Sequence, residues 1–180
     1  MPNMKVTLAR IDNRLMHGIV MTQYLPSTNS QRIMVIDDAT ANDALKKQMM
    51  NMAKPNGYAS SIITLETAIN NTKAGKYDGQ RVFVLSKTPD AFLKLIEAGV
   101  KIDKLIVGCT DLLGEGHKLS DRAYVTDDQL AMLKQIAASG TKVVVQHNPA
   151  VSEVSIDKFI YKGELFLCLD VTFYKFSLSF

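Results

Sequence analysis

Arg81-Val82-Phe83-Val84-Leu85 is apolar at four consecutive positions, and a few residues later Pro89 opens a second pattern that carries Phe92, Leu93 and Ile96 to Gly99. A strand with one face in water alternates apolar and polar residues, whereas a strand covered on both faces does not. The run therefore predicts a doubly covered strand over 81–85. The three- and four-residue spacing after it predicts a helix that begins on a proline, favoured in first turns, and ends on a glycine C-cap. Strand then helix, repeated, is the pattern of right-handed parallel crossovers.

The same alternation extends in both directions. Residues 6–11, 32–36, 60–64, 104–107 and 142–145 read as further strands, and Ile33-Met34-Val35-Ile36 and Val143-Val144-Val145 are again continuous in apolar character. Between them, 42–53 places Ala44, Leu45, Met49 and Met52 at helical spacing. Thr64 can cap a segment holding Glu66, Ala68 and Ile69, and Thr126 or Asp127 starts a helix with Leu130, Leu133, Ile136 and Ala137, closed by Gly140. All these apolar stripes, that of 42–53 included, are expected to face the core. The expectation is α/β: one open, mainly parallel sheet with helices on both faces. Two stretches break the rhythm. Residues 109–122 form a long connection containing Gly114-Glu115-Gly116-His117, the kind of loop that is often functional. From Leu165 onward the chain is rich in β-formers and aromatics, and such a segment is expected to add a strand or pack on a partner chain, unless it is a late extension.

Composition sets the outer limits. A chain of 180 residues, 47% hydrophobic and 22% charged, is of ordinary globular make-up and long enough for one domain to fold without staples. Lysine and arginine number 21 against 18 acidic residues, a net +3 spread along the chain, too weak for a nucleic-acid stripe. Cys109 and Cys168 match no zinc spacing and read as reduced thiols in a cytosolic protein. The opening Met1-Pro2-Asn3-Met4-Lys5 has no apolar core ahead of a cleavage site, so no signal peptide is expected, and no apolar run is long enough to span a membrane.

In open parallel sheets ligands bind beyond the carboxyl ends of the strands. The first strand ends in Ala9-Arg10-Ile11-Asp12-Asn13-Arg14-Leu15-Met16-His17-Gly18, the densest polar cluster at any strand end. A histidine there can act as a nucleophile near neutral pH, since much of an imidazole with pKa about 6.5 is uncharged. Arg14 offers a planar fork of donors suited to phosphoryl oxygens, and the free N–H groups of the helix that follows add a partial positive charge. Gly18 lets a ligand approach the backbone, and Asp12 can orient Arg14 or the imidazole. Nucleophile, cation and dipole together describe a phosphoryl-accepting histidine. The bland alternatives are a capping or solvated histidine and a surface ion pair. Neither a P-loop nor G-x-G-x-x-G is present, so no nucleotide cofactor is supported.

Arg10-Ile-Asp-Asn-Arg-Leu-Met-His-Gly18 resembles the active-site loop of the mannose/fructose/sorbose-type IIB subunit of the bacterial sugar phosphotransferase system, usually R-I-D-D-R-L-I-H-G-Q-V. Further stretches are similar in register: Arg32-Ile-Met-Val-Ile-Asp-Asp38, Ala53-Lys-Pro-Asn-Gly57, Arg81-Val-Phe-Val-Leu85, Leu95-Ile-Glu-Ala-Gly-Val100 and Val125-Thr-Asp-Asp128. The resemblance covers residues 4–149. It implies a phosphotransferase IIB domain over 1–149 and leaves 150–180 as a C-terminal extension. It implies that His17 accepts a phosphoryl group from a phosphohistidine of a IIA subunit or domain and passes it to a sugar bound by the membrane IIC and IID subunits. Arg14, Gly18 and Asp12 would then bind the phosphate, and Arg10 and Asn13 would contact a partner. No cofactor or metal is implied. The chain would work in the cytoplasm, peripherally associated with the transporter, and self-association stays open. The chain departs from the usual pattern at Asn13, at Ile19 in place of Gln, at Tyr24 where Trp is common, and at Cys109-Thr110 after Val107-Gly108. A regulatory or binding module of the same fold, or a flavodoxin-like small-ligand binder, are the other readings. For the remaining polar candidates, His117, His147, Asp37, Asp38, Ser86, Lys87 and Cys109, the structural reading comes ahead of a functional one.

Overall fold

The computed structural model describes residues 2–112 and 114–160. In chain order the strands are β1 (Lys5–Asp12), β2 (Arg32–Ile36), β3 (Ala59–Ile63), β4 (Arg81–Ser86), β5 (Lys104–Cys109), β6 (His117–Ser120), β7 (Ala123–Val125), β8 (Lys142–Val145) and β9 (Val154–Ser155). The helices are α1 (Asp38–Ala41), α2 (Ala44–Met52), α3 (Leu65–Lys73), α4 (Asp90–Glu97) and α5 (Asp127–Ala138). After β1 the chain coils through a π-helical turn, Val20–Tyr24, and a 3₁₀ turn, Leu25–Thr28.

Among the described residues seven strands form one sheet in the order β3-β2-β4-β1-β5-β8-β9. Every pairing in it is parallel except β8 with β9. This is the expected architecture, and β2 shows why the sequence demanded it. Met34 and Ile36 face a core shared with Ala68 of α3, Phe92 and Leu95 of α4, and Leu133 and Ile136 of α5. Ile33 and Val35 face the other way, toward Leu15, Met16, Val20, Met21, Tyr24 and Leu25. These four β2 residues are at most 2% exposed, so an unbroken apolar run is the only pattern that satisfies both faces.

Three features differ from the sequence reading. The stripe on α2 does not enter the core: no residue of this helix is buried, and Leu45, Met49 and Met52 are 67%, 61% and 78% exposed. Periodicity shows that a helix is two-faced, but not that anything lies against its apolar face. The long 109–122 connection holds β6, which pairs antiparallel with β7 in a small hairpin. Past residue 149, where the IIB domain was expected to end, the chain continues into β9, which pairs with β8 through Val144↔Ser155 and Val145↔Val154. Ile156 is then buried in the core, and Glu153 forms ion pairs with Lys104 and Lys142. The stretch from Leu165, with Cys168, lies outside the described residues.

β1 is central, flanked by β4 and β5, and its carboxyl end opens between the ends of both neighbours. The residues that follow are thereby held over the sheet rather than at its rim.

Candidate active site

Side chains alternate across a strand, so Leu8, Arg10 and Asp12 share the face of β1 that looks toward the Val20–Tyr24 turn. Arg10 is fully buried. Its Nε and Nη2 donate to Asp12 Oδ2 at 3.2 and 2.9 Å, Nη1 donates to the Gln146 carbonyl at 3.1 Å, and Nη2 also donates to the His147 carbonyl at 2.9 Å. The guanidinium carbon lies 4.4 Å from the centre of the Tyr24 ring, a cation–π contact that substitutes for lost hydration. Tyr24 is fixed in turn, its hydroxyl donating to Gln146 Oε1 at 3.1 Å.

Room for this group comes from Gly108. The register of β1 on β5 slips there, with Ile11 opposite Val107 and Asp12 opposite Cys109. A Cβ on Gly108 would lie 2.0 Å from Arg10 Nη2 and 2.3 Å from its Cζ. Arg10 was expected to contact a partner protein. With no exposed surface it cannot, and its place is inside, joining the ends of β1 and β8.

Asp12 is also fully buried. Besides Arg10 it holds Arg14, whose Nε and Nη2 donate to Oδ1 and Oδ2 at 3.0 and 3.2 Å and whose backbone N–H donates to Oδ1 at 3.2 Å. Burial pushes the Asp12 carboxyl up, but hydrogen bonds and charge from Arg14 and Arg10 outweigh it and hold the group below the ordinary aspartate range. An anion so enclosed cannot itself receive a phosphate. Asp12 occupies one edge of the Arg14 guanidinium and leaves the Nη1–Nη2 edge to face elsewhere. Among the described residues that edge donates only through Nη2, to Asp12, and the side chain is 28% exposed.

The loop is closed by two tight turns. Leu15 N–H donates to the Asp12 carbonyl at 3.0 Å, and His17 N–H donates to the Leu15 carbonyl at 2.9 Å. Leu15 has φ 55°, a left-handed conformation costly to a non-glycine residue. Leu15 and Met16 are 1% and 4% exposed in the core beneath, and burying both offsets that strain. His17 and Gly18 stand exposed on top. The first amide with a carbonyl partner one turn back is Met21, which donates to the His17 carbonyl at 2.9 Å. The amides of Gly18, Ile19 and Val20 lie ahead of it, as at any helix start. A Cβ on Gly18 would meet open space. Asn13 turns sideways, its Nδ2 donating to Asp111 Oδ1 at 2.7 Å.

Around the loop the field is basic. Burial lowers the pKa of His147, and Arg14, Arg122 and Arg10 lower it further. Its Nδ1 is 3.3 Å from Cys109 Sγ, and burial followed by the Asp12 charge pushes that thiol up. The pair is thus neutral near pH 7 and not a thiolate nucleophile. Asp37 caps α1 and pairs with Lys87 at 3.4 Å. Asp38 accepts from Leu65 N–H, and His117 Nε2 pairs with Asp127. The loop itself was legible in sequence. Tyr24, Gly108 and Gln146 were not, because a buried cation gives no periodic signal in the residues that enclose it.

A family model described as PTS system sorbose subfamily IIB component matches residues 6–168. The chain is 31% identical over 151 residues to the N-acetylgalactosamine-specific phosphotransferase enzyme IIB component 1 of Escherichia coli (strain K12), covering 83% of this chain and 94% of that one. It is 31% identical over 143 residues to the mannose-specific EIIAB component of the same strain, covering 79% of this chain and 44% of that longer protein. The crystal structure of the IIBSor domain of the sorbose permease from Klebsiella pneumoniae superposes with a TM-score of 0.81 at 27% identity, covering 88% of this chain and 98% of that chain.

Two substitutions measure the buried support. Asp12→Asn leaves the Arg10 charge enclosed without a counter-ion and is expected to cost about 3–5 kcal/mol in urea unfolding at pH 7. The Asp12 carboxyl titrates lower in the folded protein than in the unfolded chain, where its pKa is about 3.9. Its contribution is therefore full above that value and lost as pH falls through the folded pKa, so the gap between the two proteins should close in acid. Gly108→Ala drives a methyl group into the guanidinium and is expected to cost about 3 kcal/mol in the same assay. An unchanged midpoint would show that Arg10 is free to move.

Proposed function

The chain belongs to the sorbose subfamily of IIB components of the sugar phosphotransferase system, and from that premise we propose that His17 is the residue on which it carries the phosphoryl group. The observation that carries this reading is an exposed imidazole on a loop pinned from below by Leu15 and Met16, three residues from a part-exposed arginine whose Nε–Nη2 edge is held by Asp12 and whose Nη1 has no partner among the described residues.

In this reading a phosphohistidine of a IIA protein or domain is the donor, a pairing suggested by the EIIAB relative. The His17 nitrogen attacks phosphorus in line, the donor N–P bond breaks as the new one forms, the donor ring takes up a proton and the His17 ring releases one. The Nη1–Nη2 edge of Arg14 and the amides of Gly18, Ile19 and Val20 hold the equatorial oxygens, placed in advance and costing no reorganisation as charge shifts. Gly18 leaves space for the phosphate to approach. Asp12 acts through Arg14, and Arg10 through Asp12. The second transfer runs to a sugar held by the membrane IIC and IID subunits. Among the described residues no helix is long and apolar enough to cross a membrane. This reading places the chain on the cytoplasmic side of those subunits.

Phosphorylation by the general components and a cognate IIA tests the assignment. His17→Ala should abolish acceptance, and acid-labile phosphate retained on that variant would show that another residue is the carrier. Arg14→Lys keeps a charge but loses the fork and is expected to slow transfer roughly tenfold, about 1.4 kcal/mol of barrier. An unchanged rate would remove Arg14 from the phosphate.

A further inference from the structure

Leu45, Met49 and Met52 stand at i, i+4 and i+7 and so form one stripe on α2. Three large apolar side chains more than 60% exposed on a single helix face make a patch of roughly a few hundred Å², a size found at functional surfaces rather than in scattered surface residues. The helix is otherwise well made. Asp43 caps it by accepting from Lys46 N–H at 3.0 Å, and its underside is held by Met50 against the core beneath the loop. Nothing in its own fold requires the outer stripe to be apolar.

Its position gives it a use. An open cleft of about 250 Å³ separates α2 from the first-strand loop, with Arg14 and Met16 on one wall and Lys46 and Met49 on the other. The stripe is thus continuous with the residues that lead to His17. The charges beside it are mainly basic: Arg14, Lys46 and Lys87 line the cleft, which no acidic residue lines, and Lys47 and Lys54 lie on α2 and just after it. Asp43 pairs with Lys46 and Asp37 with Lys87, each at 3.4 Å.

We propose that the Leu45, Met49 and Met52 face of α2 is the seat of the phosphoryl-donor protein, a partner with an apolar centre and an acidic rim, in the step that loads His17. The proposal rests on the reading of His17 given above. Charge selects the donor over the acceptor, because the donor arrives bearing the phosphate dianion, whereas the acceptor presents an uncharged sugar. Size selects a transient partner over a second copy of this chain, since the patch falls short of the roughly 800 Å² per partner that a standing interface buries. Methionine suits such an encounter, as its flexible, polarisable side chain adapts to a surface that must also let go.

The test uses the full chain and the double variant Leu45→Glu/Met52→Glu, both positions exposed and neither lining the cleft beside the first-strand loop. Three rates are followed: loading of His17 by the phosphorylated IIA donor, loading by phosphoramidate, and onward transfer from preloaded chain to sugar through the membrane subunits. The expected result is a rise of about tenfold or more in the KM for the IIA donor, with kcat within about twofold. Loading by phosphoramidate and onward transfer should be unchanged. An unchanged donor KM overturns the proposal. So does a defect confined to onward transfer, which would assign the face to the acceptor. A wild-type dimer in sedimentation that the variant dissociates, with donor KM unmoved, would assign it to a second copy. If neither donor labels His17 in the wild-type chain, the His17 reading itself fails, and that is seen before any variant is compared.

Discussion

A guanidinium and a carboxylate without solvent contact, two residues apart on one face of β1, set the geometry on which the candidate site depends. Removing such groups from water costs several kcal/mol each, and attraction between them compensates only if the remaining donors and acceptors are also satisfied. Here they are. Arg10 spends its donors on Asp12 and on the carbonyls of Gln146 and His147, and covers the Tyr24 ring; Asp12 spends its oxygens on Arg10 and Arg14. The result is a rigid chain of contacts from the end of β8, through the end of β1, to a side chain at the surface. Replacing the pair with apolar residues of similar shape could preserve stability, yet it would leave Arg14 without the partner that holds its Nε–Nη2 edge.

The same network accounts for departures of this chain from the loop pattern it resembles. Tyr24 stands where tryptophan is common, and an aromatic face over Arg10 is what the position must provide; tyrosine provides it and adds a hydroxyl that fixes Gln146. Gly108 can carry no side chain, because any side chain would occupy the guanidinium's place. Asn13 replaces an acidic residue, and its amide donates to Asp111. An aspartate there would set two carboxylates at hydrogen-bond distance, so the change fits this chain's own neighbour across the β5 connection.

Much of the fold could be read from the residues because burial on both faces leaves an unmistakable mark. Ile33-Met34-Val35-Ile36 has no polar position to spare, and the strand bounds at Arg32–Ile36 and Lys142–Val145 follow from that alone. The histidine loop was legible for a different reason: polar residues concentrated at a strand end marked it as a candidate, and its resemblance to the IIB active-site loop singled out His17 from the structural readings. What could not be read were relations between distant residues. Arg10 looked like a surface charge because its enclosure is supplied by Tyr24, Gly108 and Gln146, each unremarkable in its own segment. The β6–β7 hairpin is too short for periodicity to register. The stripe on α2 was read as core because amphipathic spacing fixes which residues share a face, while the neighbour on that face belongs to tertiary structure.

These two misreadings are complementary. A charge expected at the surface is buried beneath the loop, and an apolar stripe expected in the core is exposed beside it. A carrier that must receive a group from one protein and release it to another needs its reactive atom stationary relative to its own charge-bearing neighbours, or each transfer would require them to reorganise. It also needs a surface that binds neither partner for long. Strong, fully satisfied polar contacts below meet the first requirement, because they cannot shift by fractions of an ångström without leaving a buried charge unpaired. A small patch of flexible apolar side chains meets the second, because its contacts are weak singly and adaptable together. Among the described residues, the face of the sheet that carries the loop is covered by the loop's own Leu15 and Met16, by the short coil over Val20–Thr28 and, through Met50, by α2, whereas the opposite face has α3, α4 and α5. That asymmetry leaves the carboxyl end of β1 approachable from one side while the other side holds the sheet fixed.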